Sequence, residues 1–218
     1  MPSPSLVLAT RNAHKVVELT RILEAAAASG PGGRPGGLPG SGSAPALVGL
    51  SDFPDIPDVA ETGLTFADNA LLKAHAVAAA TGLPAVADDS GLCATALNGM
   101  PGILSARWAG KHGDDSANLD LVLAQTADVP DEARGASFVC VAALALPDGR
   151  EWAVTGVLNG SLTRAPRGSG GFGYDPIFEP DGSSRTTAEM SPQEKDAISH
   201  RGRAFRALAP VIADNVKP

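Results

Sequence analysis

Two adjacent carboxylates, Asp88 and Asp89, stand before Ser90 and Gly91 at the end of an apolar run, Pro84-Ala85-Val86-Ala87. Acids so placed can hold a divalent cation or take a proton from water. The run reads as a buried strand that breaks at Asp89-Ser90-Gly91. Side chains alternate across a strand, so the two acids point to opposite sides unless the turn intervenes. One of them is then the ligand or base and the other a structural partner. An Asx turn closing a strand accounts for the same residues without any chemistry.

Three further groups could join that acid. Thr10, Asn12 and Lys15 surround the start of a helix, where free backbone N–H groups and the helix dipole attract an anion. Charge-assisted hydrogen bonds there contribute roughly 1.5–3 kcal/mol each, enough in combination to hold a triphosphate. The Gly-rich loop of a Walker motif is absent, and a capped helix with one solvated lysine fits equally well. Asn69 and Lys73, four residues apart, share one helix face and could reach a phosphate, although a solvated face is the ordinary explanation. Last come the glycines of residues 168–173, with Phe172 and Tyr174 offering rings that could stack on a base, followed by Lys195, His200 and Arg201. Arg201 is a pure donor, suited to a purine ring oxygen and not to adenine's amino group.

The elements that position these groups alternate between strand and helix. Leu6-Val7-Leu8-Ala9-Thr10 reads as a strand, followed by a helix from Asn12, its N-cap, to about Ala28, with Val16, Leu19, Ile22 and Leu23 inward. Residues 29–46 are rich in Gly, Pro and Ser and read as a flexible surface insertion. A short strand is expected at 48–50. The capping box Thr65-Phe66-Ala67-Asp68 opens a helix that Gly82 and Pro84 stop, with Phe66, Ala70, Ala74 and Val77 facing the core. A helix over 116–127 precedes two strands, 138–146 and 151–157, joined by the hairpin signal Pro147-Asp148-Gly149-Arg150. Further short strands are expected around the Gly-rich run. Ser191-Pro192-Gln193-Glu194 opens another helix, and a closing helix covers 202–213. The chain reads as a single α/β domain, 1–218, with a mixed β-sheet.

Composition narrows the partners. A formal net charge of -7 argues against a surface that grips nucleic-acid polymers or anionic membranes, while leaving room for a basic pocket. No stretch of about 18 apolar residues is available to span a bilayer. The two cysteines, Cys93 and Cys140, form no disulfide or Cys-x-x-Cys pattern, and no signal-like segment opens the chain. A cytoplasmic protein is expected.

Taken in order, the residues resemble the inosine triphosphate pyrophosphatase family. The matching runs begin with Leu8-Ala9-Thr10, Asn12 and Lys15, then Glu61-Thr62-Gly63-Leu64-Thr65-Phe66, Asn69-Ala70 and Lys73-Ala74. Ala87-Asp88-Asp89-Ser90-Gly91-Leu92 and Pro101-Gly102-Ile103 with Ser105-Ala106-Arg107 follow. The last are Gly170-Gly171-Phe172-Gly173-Tyr174-Asp175-Pro176-Ile177-Phe178, Lys195, and Ser199-His200-Arg201-Gly202. Each run alone is weak; the ordered set is specific.

The resemblance implies an elongated mixed sheet flanked by helices, two lobes around a central cleft, and a homodimer. It implies hydrolysis of ITP, dITP and XTP to the monophosphate and pyrophosphate with Mg²⁺. By matching position it implies that Asp89 is the catalytic acidic residue and a metal ligand. It likewise implies that Thr10, Arg11, Asn12, Ala13, His14, Lys15, Lys73, Ser90, Phe172, Gly173, Tyr174, Asp175, Lys195, His200 and Arg201 bind substrate. Many relatives carry two acids before the Thr-Gly pair, the first of them on the metal. Here Ala60 and Glu61 stand there, so either Glu61 serves or Mg²⁺ is held by Asp89, waters and phosphates. A pyrimidine-directed relative of the same architecture would open with Ser-x-Ser-x-x-Arg, against Thr-x-Asn-x-x-Lys here.

Overall fold

Leu6, Val7 and Leu8 offer no polar face to water, so a strand built from them needs cover on both sides. In the computed structural model, which describes residues 5–11, 16–17, 19–22 and 46–216, they are buried in β1 (Ser5–Leu8). This strand pairs in parallel with β2 (Ala46–Gly49) and with β3 (Ala85–Ala94). Parallel neighbours need crossover connections. The one from β2 to β3 contains α1 (Phe66–Thr81). Its start is fixed by the expected capping box: Asp68 N–H donates to Thr65 Oγ1, and Thr65 N–H to Asp68 Oδ2, both at 3.1 Å. Gly82 ends it in the left-handed region, at φ 67°.

The described residues of the expected first helix, 16–17 and 19–22, are helical, with Leu19 and Ile22 buried. Its proposed cap Asn12, together with Leu23 and the Gly/Pro-rich stretch up to residue 45, lies outside the described residues. α2 (Asp115–Gln125) is capped by Asp114. β4 (Gly135–Ala145) and β5 (Glu151–Leu162) are longer than their sequence signals and meet at the expected turn, where Leu146 N–H donates to Arg150 O at 2.9 Å. β6 (Phe178–Pro180) pairs antiparallel with β5. The sheet order β2-β1-β3-β4-β5-β6 is therefore mixed, and the helices α3 (Pro192–Ile198) and α4 (His200–Asn215) complete an α/β fold.

Two expectations change. Strand β3 does not break at the acidic pair but continues through Asp88-Asp89-Ser90-Gly91 to Ala94. The reason is close packing: a Cβ at Gly91 would lie 2.3 Å from Gly102 O and 2.4 Å from Ser105 Oγ. Glycine here serves backbone approach rather than a turn. Leu92 N–H also donates to Ser105 Oγ at 2.9 Å, which fixes the strand to the 102–107 segment. The second change concerns residues 163–174, which form no strand; only the three-residue β6 follows them.

The chain groups into two compact units, one of Met1–Asp89, Val141–Thr155 and Gly202–Pro218 and another of Ser90–Cys140 and Gly156–Arg201. The core of the first is rich in small residues: Ala70, Ala74 and Ala78 of α1 pack with Ala85 and Ala87 of β3 and with Ala143 and Ala145 of β4. Small side chains let a helix lie close to a sheet, which brings the polar residues on the same helix within reach of the strand. The core of the second is larger-grained, with Phe138, Tyr174, Ile177 and Phe178 around Leu92 and Leu158. Burying one such side chain contributes about 1.5–3 kcal/mol. A buried guanidinium, Arg134, is satisfied by backbone: it donates to the carbonyls of Leu162 and Thr163 at 2.8 Å and to that of Thr126.

Candidate active site

Within the first unit, Asp89 is the centre of a polar cluster inside an apolar frame. It is 6% exposed, and Asp88 3%. Because β3 runs through both, strand alternation applies in full, and Asp89 is the one that meets α1. Lys73 Nζ donates to Asp89 Oδ1 at 3.1 Å and to Glu61 Oε1 at 2.9 Å. Asn69 Nδ2 donates to Asp89 Oδ2 at 3.3 Å. The i, i+4 pair on α1 is thus turned onto the acid and not solvated; Asn69 is fully buried. Asn69 Oδ1 is also occupied, accepting from Gly63 N–H at 2.8 Å. A Cβ at Gly63 would lie 2.5 Å from Asp68 Cβ and 2.7 Å from Asn69 Oδ1, so the Thr62-Gly63 step allows the Glu61 segment to fold onto the helix start.

Burial works against the Lys73 ammonium, but the charges of Asp89, Asp88 and Glu61 outweigh it and hold its pKa above the ordinary lysine value. Three carboxylates thus act on one ammonium. Among the described residues, no group of three or more His, Cys, Asp or Glu forms a metal cage. Glu61 and Asp89, two hard oxygen donors converging on one cation, suit Mg²⁺, which commonly takes one or two carboxylates and fills its other positions with water and phosphate. Beside Ala60, the Glu61 carboxylate is directed at the cluster through Lys73.

Thr10 follows β1, where Ala9 N–H donates to Val86 O at 2.8 Å and so brings this turn alongside the stretch leading to Asp88. Arg11 is engaged within the protein. Its guanidinium donates to Asp58 Oδ1 at 3.0 Å and to the carbonyl of Ile56, tying the turn to the 53–58 segment. Asn12, Ala13, His14 and Lys15 lie outside the described residues.

The second unit carries the Gly-aromatic loop. Its organiser is Asp175, which is 2% exposed. One oxygen, Oδ2, accepts from Lys195 Nζ at 2.6 Å and from Phe172 N–H at 2.8 Å; Oδ1 accepts from Thr187 Oγ1 at 2.8 Å. A Cβ on Gly171 would lie 2.0 Å from Asp175 Oδ2, and its φ of +71° favours glycine in addition. The next N–H, that of Gly173, donates to Asp115 Oδ2 of α2 at 2.9 Å.

The two aromatic residues separate in role. Phe172 is half-buried, with Lys195 Nζ 5.2 Å and Arg201 Cζ 5.0 Å from its ring centre, both within cation–π range. Tyr174, read from sequence as a second stacking ring, is instead part of the core. It is 5% exposed, its hydroxyl donates to Ser105 O at 2.8 Å, and burial followed by the Asp115 charge pushes its phenol far above the ordinary value. Its ring therefore anchors the loop, while that of Phe172 is the more accessible of the two. Arg201 donates to Ser90 Oγ at 2.9 Å. His200 is buried and stacks on Phe138, centroids 4.8 Å apart at 15°, with Phe138 in turn against Phe178. Sequence reading places Asn69 beside Lys73, where it could reach a phosphate, and does not foresee its bond to Asp89; it assigns no site role to Ser105, Asp115, Thr187 or Arg134. Single polar residues of these types, most of them buried here, carry no spacing signal.

Residues 6–211 match the Ham1 family. A dITP/XTP pyrophosphatase of Streptomyces coelicolor is 63% identical over 96% of this chain and 97% of its own length. Among solved structures, a nucleoside-triphosphatase / dITP/XTP pyrophosphatase from Mycobacterium abscessus is 52% identical, with a TM-score of 0.73 over 94% of this chain and 99% of that one. A HAM1 protein from Coxiella burnetii is 40% identical, with a TM-score of 0.81 over 97% and 99%.

Proposed function

Because the chain belongs to the Ham1 family, we propose that it hydrolyses the non-standard purine nucleoside triphosphates ITP, dITP and XTP to the monophosphate and pyrophosphate. It thereby removes them from the pool that feeds DNA and RNA synthesis. The observation that carries this reading is the Asp89 carboxylate, buried on β3 and held at both oxygens by Lys73 and Asn69. Such a carboxylate is fixed in orientation and can align or deprotonate an attacking water. The bond that breaks is the α–β phosphoanhydride, and pyrophosphate leaves.

Mg²⁺, when bound by Asp89 with Glu61, would offset charge developing on the leaving pyrophosphate. Lys73 is the cation on α1 that serves the phosphates, and Lys15 is assigned the same task by its motif position. In the Gly-aromatic loop, Phe172 supplies the ring for the base, and Arg201, with Lys195 and the His200 segment, supplies donors for a purine oxygen. An adenine amino group opposite a fixed donor leaves that donor unmatched, at a cost of about 1–3 kcal/mol per buried group. The protein acts as a cytoplasmic homodimer that engages neither nucleic-acid polymers nor membranes. In support, the net charge is -7, and no helix among the described residues is long and apolar enough to cross a membrane.

The test is a product assay with ITP, XTP, GTP, ATP, UTP and TTP, with and without Mg²⁺. Pyrophosphate from ITP and XTP in the presence of Mg²⁺ is expected. Orthophosphate as product, preference for UTP or TTP, or tight ITP binding without turnover would each overturn the assignment.

A further inference from the structure

One cation already occupies the space that the metal's protein donors share. Lys73 Nζ stands 2.9 Å from Glu61 Oε1 and 3.1 Å from Asp89 Oδ1, and its side chain is 14% exposed against 22% and 9% for the two acids. The stem of Lys73 rises from the middle of α1, whose first turn is closed by the Thr65–Asp68 capping box and whose inner face is packed on the sheet. The ammonium is therefore delivered by a fixed element. Asn69, one turn earlier, holds the second oxygen of Asp89 from the same helix.

We propose that Lys73 is a placeholder for the divalent cation: it bonds to Glu61 and Asp89 together and offsets part of their charge in the nucleotide-free protein, and so suppresses metal binding until a triphosphate draws its ammonium away. This inference rests on the Mg²⁺-dependent reading above. A divalent ion approaching the nucleotide-free cluster meets two carboxylates already bonded to an ammonium, and the like-charge repulsion acts at hydrogen-bond range in a mostly buried setting. A triphosphate offers Lys73 oxygens of higher charge. Once Lys73 turns to them, Glu61 and Asp89 are released for the metal in the same event. Metal and nucleotide then enter together, and the protein does not hold a bare ion that could position water without substrate. The same arrangement gives the lysine two successive partners, carboxylates first and phosphates second, from one position on α1.

The experiment is a titration of the full, nucleotide-free chain with Mn²⁺, read by the paramagnetic resonance of the free ion. The wild type is compared with Lys73→Met, which removes the charge, and with Lys73→Arg, which keeps it. Lys73→Met is expected to bind Mn²⁺ about tenfold more tightly than wild type, with Lys73→Arg no tighter than wild type. Should Lys73→Met fail to fold, Lys73→Gln, which keeps an N–H donor for one carboxylate, carries the same measurement. Unchanged or weakened Mn²⁺ affinity in the neutral variant overturns the proposal, as does equal tightening in Lys73→Arg. A parallel assay of Mg²⁺-dependent pyrophosphate release from ITP by the wild type separates the two readings. Its absence removes the underlying function, while its presence without tightening removes only the placeholder role.

Discussion

Around Asp89 the functional side chains project from a strand and a helix and meet one another directly. Around Phe172 an irregular loop is held by carboxylates that grasp its backbone. Asp89 takes Asn69 and Lys73 from one face of α1. In the loop, Asp175 and Asp115 accept the consecutive N–H groups of Phe172 and Gly173, and Tyr174 is pinned through its hydroxyl to Ser105 O. The first arrangement fixes charge; the second fixes the path of the chain. Substitutions in the first should therefore act on turnover, and those in the second on affinity and base choice.

The sharpest test of that division is Asp89→Asn. Loss of the carboxylate at a position that still accepts a hydrogen bond should lower kcat for ITP by about 10²–10⁴-fold, with a smaller change in KM. A variant with near-normal pyrophosphate release would break the comparison at its strongest point. On the loop side, Asp175→Asn leaves Lys195 buried without its charge partner, a change costing roughly 3–5 kcal/mol. A fall in Tm together with a rise in KM is expected, and a preserved KM for ITP would show that the loop does not contact the base. Gly171→Ala acts on the same carboxylate from the backbone side. With a Cβ 2.0 Å from Asp175 Oδ2 at a φ of +71°, it should destabilise by about 1–3 kcal/mol and raise KM more than it lowers kcat.

Asp115 offers a gentler perturbation, because it is exposed and contributes little to the core. Asp115→Ala should raise KM about two- to tenfold, the size of one lost hydrogen bond, with kcat nearly unchanged. Asp115→Asn, which keeps an oxygen acceptor, should recover most of the loss; lack of recovery would assign the effect to charge and not to loop position. The smallest effect is expected at Glu194, which caps the helix bearing Lys195. Its bonds to Arg185 and then to Ser191 hold its pKa down to about 2, against an ordinary 4.5. A depressed carboxylate stabilises the fold above the unfolded value and loses that contribution as pH falls from 4.5 toward about 2. An NMR titration of the Glu194 side chain should find its midpoint near the lower figure; a midpoint near 4.5 would remove the capping contribution.

The same contrast explains which parts of the molecule are legible from residues alone. Helix α1 is written locally, in the Thr65–Asp68 box, its apolar spacing and Gly82, and it forms over nearly the residues expected. The hairpin turn between β4 and β5 is equally local. Strand β3 is misread at Asp89-Ser90-Gly91 because these residues favour turns in isolation. What keeps them extended is the 102–107 segment against Gly91, a contact no local pattern encodes. The burial of Tyr174 is hidden for a related reason: a tyrosine beside glycines looks available, and it is the distant Ser105 carbonyl together with side chains such as Leu92 and Phe138 that makes it a core residue. Among the polar residues of the two clusters, Asp89, Lys73, Asp175 and Lys195 stand in motifs and could be named from the sequence. Asp115 and Thr187 act through backbone or through Asp175, and spacing does not register such partners.

The saturation of Asp175 has a consequence for recognition. Its two oxygens already receive an ammonium, a hydroxyl and a backbone N–H, and the loop on which Phe172 stands is thereby ordered before any nucleotide arrives. Ordering the backbone of a flexible loop would cost about 1–2 kcal/mol per residue at the moment of binding. Here that entropy is surrendered during folding, so the interaction with the base can go into affinity and discrimination rather than into immobilising the chain.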